Sequence, residues 1–154
     1  ILLLIQLIYG AFMAGLKTAA TAPTWPAING EWLRSAIHSF GNREFSGLSF
    51  LTDHPLVIHF IHRNLAYLIT LFIGIWWWKA RKVKGTGLFQ KTKALPMIIV
   101  LLQVLLGVFT VLNVFHLSTF LWLAVAHQFT GMILLISLIV ILFIVRSKKY
   151  PAVA

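Results

Sequence analysis

The chain has 154 residues, 60% hydrophobic and only 10% charged, where an ordinary soluble domain is about a quarter charged. Its net charge of +10 would suit a nucleic-acid partner only if the cations shared one face, and they are instead gathered between long apolar runs. These features exclude a soluble domain and argue for no nucleic acid, and the lack of cysteine excludes disulfides, thiolate metal sites and iron–sulfur clusters within the chain.

The first apolar run, 1–16, opens on Ile1 rather than Met. The expectation is a span truncated at its start within a longer protein. It has no basic leader or small-residue cleavage site, so it does not read as a signal peptide. Segment 17–54 is the one long connection. Its Trp25, Trp32, Phe40, Phe45 and Phe50 suit an interfacial lid. Thr24-Trp25-Pro26 and Asn29-Gly30 mark turns, and a short interfacial helix is expected within 31–40. The histidines here and at the next loop, His38, His54 and His116, are expected to be solvated.

The second run, 55–78, starts with Pro55, which suits a first helical position. It closes on Trp76, Trp77 and Trp78, an interfacial aromatic belt. A basic loop, 79–93, carries Lys79, Arg81, Lys82, Lys84, Lys91 and Lys93. The third run, 94–114, has Pro96 near its start. The fourth, 119–145, is followed by Arg146, Lys148 and Lys149. Roughly 20 apolar residues cross about 30 Å of hydrocarbon, and the last three runs meet that length. Because Lys and Arg collect in cytoplasmic loops, the expected fold class is an all-α integral membrane protein. It is read as a single membrane domain, a four-transmembrane-helix bundle with 17–54 outside and both ends in the cytoplasm.

An internal repeat accompanies this layout. Gln6, Gly10 and Phe12 recur at the same spacing as Gln103, Gly107 and Phe109 on two spans of one orientation. The spans that follow each carry a histidine, His62 or His127, then a polar residue, Arg63 or Gln128, and a small one four positions on, Ala66 or Gly131. Parallel repeats of this kind imply pseudo-twofold helix pairs about an axis along the membrane normal. Chance is the competing explanation, since apolar residues fill most of both stretches.

Counted from Pro55 and from Phe120, His62 and His127 each lie seven residues in, roughly 10 Å below the outer helix ends at 1.5 Å per residue. Two imidazoles at one level can supply the two axial nitrogens of a haem iron from facing helices. Ala66 and Gly131, one turn along on the ligand face, leave room for the macrocycle. The bland alternative is a pair of packing histidines bonded to backbone carbonyls. Arg63 is the one full charge inside a span, and such a charge needs compensation. A haem propionate or snorkelling to the headgroups would provide it. His59 forms His-x-x-His with His62, but zinc would need further ligands and the spans hold no Asp or Glu. That absence also argues against a carboxylate-bridged di-iron centre. His59 therefore reads as a pocket group beside the ligand or a packed histidine.

Several stretches resemble the C-terminal half of haem A synthases: residues 4–17 with Thr24-Trp25-Pro26 and Asn29-Gly30, residues 58–67 around His59, His62 and Arg63, residues 102–110, and Ala126-His127-Gln128. The resemblance implies an eight-helix, two-repeat protein of which this chain is one half. Such enzymes oxidise a methyl group of haem O to the formyl group of haem A during cytochrome oxidase assembly. It further implies haem b, iron-ligated by His62 and His127, with Arg63, Ala66, Gly131 and His59 around it. The implied partners are haem O and haem A, the lipid bilayer and an N-terminal four-helix half that carries the catalytic glutamate. No catalytic residue is expected in this chain, so it would bind haem without completing the reaction. The implied location is a bacterial-type cytoplasmic or mitochondrial inner membrane, with both ends on the cytoplasmic or matrix side. His59 departs from the family pattern, which has Glu at this position in the catalytic half and often Gln in this one. Two rival readings are a free-standing four-helix b-type cytochrome and a haem-free transport or assembly subunit.

Overall fold

Every apolar run of the sequence is helical in the computed structural model, which describes residues 1–32 and 39–147. Helix α1 covers Leu2–Gly15, and a single 3-10 turn follows at Thr18–Thr21. Two short strands, β1 (Ser39–Phe40) and β2 (Arg43–Glu44), pair antiparallel. They form a small hairpin within the long connection. A one-turn helix α2 (Leu48–Thr52) leads into the long helix α3 (Pro55–Ala80). Helix α4 (Gly87–Thr92) interrupts the basic loop. Helices α5 (Leu95–Leu112) and α6 (Leu117–Ser147) complete the chain.

Three stretches, Pro55–Ala80, Gly87–Leu112 and Leu117–Ser147, are long and apolar enough to cross a membrane, which supports an integral-membrane location. Their outward faces carry Leu71, Phe72, Phe129 and Phe143, all exposed. Such side chains are stable against lipid tails and costly against water. Helix α1, with 14 residues, rises only about 21 Å.

One core joins all four long helices. Leu3 of α1, Ile69 and Ile73 of α3, Val100 of α5 and Leu134 of α6 are buried against each other. A second cluster, Ala22, Ile28 and Leu56 with Phe40 and Phe60, seals the end under the long connection. A third, Ala80, Phe89 and Ile144 with Trp76, seals the basic end. The bundle is therefore capped at both ends by the segments that join its helices.

The expected helix within 31–40 falls mostly on 33–38, outside the described residues, as does His38. Its flanks are extended: Glu31 bridges to Ile28 across Asn29-Gly30, and Phe40 lies in β1. Asn29 and Gly30 both have positive φ, 52° and 91°, the backbone that a tight two-residue turn between antiparallel partners requires.

His54 corrects an expectation. Placed at the interface by sequence, it is fully buried. Its Nδ1 accepts from the Val57 amide at 3.4 Å and so caps α3 ahead of Pro55. Its ring packs on Phe45 at 4.7 Å between centroids, with Phe50 and Phe40 near by. The connection folds back on the helix start and removes it from solvent. His116 is exposed as expected.

Candidate functional site

Helices α3 and α6 bring His62 and His127 together inside the bundle, with ring centroids 6.4 Å apart and planes at 66°. The shared level does not come from equal counts along the helices. Helix α6 begins at Leu117, three residues before the position from which the depth of His127 was counted. A tight turn, in which the His116 amide donates to the Asn113 carbonyl at 2.9 Å, starts α6 further out.

Each histidine is held by the glutamine of a neighbouring helix. Gln6 Nε2 of α1 lies 3.3 Å from His62 Nε2, and Gln103 Nε2 of α5 lies 3.3 Å from His127 Nε2. An amide N–H can only donate, so each imidazole presents a lone pair at Nε2. His127 has a second hold: its Nδ1 donates to the Gln103 backbone carbonyl at 3.0 Å. A carbonyl only accepts, which fixes the proton on Nδ1. His62 Nδ1 and the two glutamine Oε1 atoms are buried without a hydrogen-bond partner.

The glycine one turn after each glutamine makes these contacts possible. A Cβ on Gly107 would sit 2.9 Å from His127 Cε1, and one on Gly10 would sit 3.4 Å from His62 Cε1. The sequence repeat carries this signal, since Gln and Gly four apart share a helical face, but only the fold shows the imidazole seated there.

Gly131 is buried, and its missing side chain faces Gln103 Nε2 at 3.1 Å and Leu7 at 3.8 Å. It adjoins the glutamine that holds His127. Ala66 is partly buried, and its carbonyl accepts from the Thr70 hydroxyl at 2.8 Å. His59 is fully buried with neither ring nitrogen hydrogen-bonded.

Arg63 finds its compensation in the long connection. Nη1 donates to the Ala27 carbonyl at 3.2 Å, and Nη2 donates to those of Ala22 and Thr24 at 3.1 and 2.6 Å. These carbonyls converge because the segment is curled tightly. Thr24 Oγ1 donates to the Ala27 carbonyl and accepts from the Asn29 amide, and Asn29 Nδ2 donates to the Thr21 carbonyl. Trp25 Nε1 donates to Tyr67 Oη at 2.9 Å, and Trp32 stacks on Tyr67. Among the described residues three of the five guanidinium donors are used this way, leaving Nε–H and one Nη1–H for another acceptor.

Among the described residues no group of three or more His, Cys, Asp or Glu could hold a metal ion. The donor set is two imidazoles. That is too few for a bare zinc site but sufficient for a metal that arrives with its own equatorial ligands.

A helical membrane bundle with two inward imidazoles, each gripped by a glutamine from another helix, defines the class. The COX15-CtaA family, described as "Cytochrome oxidase assembly protein", matches residues 1–139, and the chain belongs to that family. It is 34% identical over 138 residues to "Heme A synthase" of Erythrobacter litoralis, covering 89% of this chain and 36% of the relative. The protein of the same name from Paracoccus denitrificans is 31% identical over 137 residues, covering 88% and 33%. That from Flavobacterium psychrophilum is 34% identical over 137 residues, covering 87% and 38%. The chain thus spans about a third of the length of these curated relatives. No solved structure matches it.

Proposed function

We propose that this chain is the haem-holding, C-terminal four-helix half of a haem A synthase, in which His62 and His127 would hold the iron of one haem b. The observation that carries the reading is the 6.4 Å between the two ring centroids. Two metal–nitrogen bonds of about 2 Å, with roughly 1 Å from each ring nitrogen to its centroid, place two imidazoles on one metal roughly 6 Å apart. The unpartnered Gln6 Oε1, Gln103 Oε1 and His62 Nδ1 also fit a site that gains a polar guest, because buried polar groups are otherwise nearly always paired.

The residues around the pair act by orientation. The Gln103 carbonyl holds the tautomer of His127 that leaves Nε2 free to ligate. Gln6 and Gln103 each donate to the Nε2 of one histidine, fixing the ring positions, and these contacts would give way where the same nitrogens held the iron. Gly10 and Gly107 set how closely each ring approaches its helix. Arg63 pins segment 22–27 over the site, and its two spare donors suit a propionate. Ala66, Gly131 and His59 line the surroundings. A bis-histidine haem supplies one-electron transfer. The matching Gln-to-His contacts on α1–α3 and α5–α6 support a pseudo-twofold repeat, with α1 part of a fourth span. That the chain matches only about a third of the length of its relatives supports a larger protein in which a companion half performs the oxidation of the haem O methyl group. The basic loops on one side support an orientation with both ends in the cytoplasm or matrix.

The visible spectrum of the purified chain reconstituted with haem tests this. Wild type should give a low-spin bis-histidine spectrum, and His62→Ala and His127→Ala should each lose it. An unchanged spectrum in either variant, or no haem bound by wild type, overturns the reading.

A further inference from the structure

A groove of about 930 Å³ runs along the outside of the bundle between α3 and α5, from Tyr67 to Trp78 on one side and along Leu101 and Leu105 on the other. It is separate from the histidine pair. Its floor is open at Gly74, where an added Cβ would meet nothing within 4 Å. Apart from the Trp78 indole N–H at its charged end, its polar side chains are engaged: Thr70 donates to the Ala66 carbonyl, and Tyr67 Oη accepts from Trp25. The body of any occupant is therefore apolar.

The groove's length and its charged end together specify the occupant. Tyr67 to Trp78 is eleven helical steps, about 16 Å, close to half of the ~30 Å hydrocarbon core and so the depth of one leaflet. At the Trp78 end the Arg81 guanidinium lies 3.7 Å over the Trp78 ring, with Lys82 Nζ at 6.0 Å. Lys93 Nζ donates to the Arg81 carbonyl at 3.1 Å. No carboxylate neutralises these cations. The chain's three acidic residues, Glu31, Glu44 and Asp53, all precede the opposite end of α3, a 26-residue helix about 39 Å long.

We propose that this groove binds one acyl chain of an anionic phospholipid, whose phosphate rests on Arg81, Lys82 and Lys93. Cations just beyond a membrane helix recognise acidic headgroups, and here they stand at the mouth of an apolar slot one leaflet deep. The proposal uses neither histidine, and it requires that the companion half of the proposed protein leave this groove facing lipid.

The test uses the chain in detergent micelles with spin-labelled phosphatidylglycerol or phosphatidylcholine, reading the immobilised lipid fraction by electron paramagnetic resonance. Wild type should immobilise phosphatidylglycerol in preference to phosphatidylcholine. Arg81→Gln with Lys82→Gln should reduce that preference roughly tenfold or more. Gly74→Leu should abolish immobilisation of both lipids while circular dichroism shows the helices intact. Equal immobilisation of the two lipids by wild type overturns the proposal. So does retention of phosphatidylglycerol by folded Gly74→Leu, or a dimer of wild type that excludes lipid from the groove.

Discussion

His127 Nδ1 reaches the backbone carbonyl of Gln103 at 3.0 Å across the space where Gly107 has no side chain. In a helix the carbonyl at 103 already accepts from the amide at 107. The side chain at 107 would lie back over that same turn. Glycine uncovers the second lone pair of the oxygen, and the imidazole takes it. His62 lies over Gly10 with a looser fit, because the Cβ that would touch it stands 3.4 Å away instead of 2.9 Å.

This asymmetry gives a first prediction. Gly107→Ala must push the His127 ring off the Gln103 carbonyl, releasing the tautomer that the bond holds. Loss of a ligand-orienting hydrogen bond costs roughly 10- to 100-fold in metal affinity. Haem titration followed in the Soret band should show a drop of that order for Gly107→Ala and a clearly smaller one for Gly10→Ala. Equal losses would mean that the carbonyl contact does not orient His127.

Gly131 offers a second test, because two mechanisms could make it sensitive. Sequence spacing suggests a residue that leaves room for a macrocycle, whereas the structure sets its open side against Gln103 Nε2 at 3.1 Å. If Gln103 transmits the effect, Gly131→Ala should weaken haem binding in wild type but add little in a Gln103→Ala background. A double-mutant cycle in haem affinity measures the coupling, expected between 0.5 and 3 kcal/mol for residues in contact, about the usual range. Additive losses would return Gly131 to direct contact with the cofactor.

The helices were legible in the sequence because an apolar run of about 20 residues has few alternatives to a membrane helix. The histidine pair was legible because it recurs with its glutamine and glycine. The partners of Arg63 were not, since they are backbone carbonyls whose convergence depends on how residues 22–27 curl, and side-chain identity carries no record of that. The burial of His54 was hidden for a related reason. Phe40, Phe45 and Phe50 read as interfacial anchors, and only the fold shows their rings closing on an imidazole.

Two contacts of His54 within the described residues are separable. It caps α3 through Nδ1, and its ring fills the pocket among those phenylalanines. His54→Ala removes both and should destabilise the chain by about 2–4 kcal/mol, as truncation of a buried ring does. His54→Asn restores a capping acceptor, worth about 1 kcal/mol, without the ring. Unfolding in detergent micelles, followed by circular dichroism, should rank wild type above His54→Asn and His54→Ala last. If the two variants are equally stable, the cap contributes nothing.

Arg63 supports the last prediction, made for haem-free protein so that no propionate can contribute. Its three bonds to Ala22, Thr24 and Ala27 tie the long connection to α3, and a hydrogen bond to a charged group contributes about 1.5–3 kcal/mol. Arg63→Gln should loosen the segment, speeding hydrogen exchange at the Ile28 and Glu31 amides, which bond each other's carbonyls across the turn. An increase of roughly tenfold or more corresponds to losing one such bond. Arg63→Lys should rescue only part of this, because one ammonium cannot reproduce the guanidinium fork that spans three carbonyls. Unchanged exchange in Arg63→Gln would show that Trp25, Trp32 and Tyr67 hold the segment unaided, and that the arginine serves another acceptor.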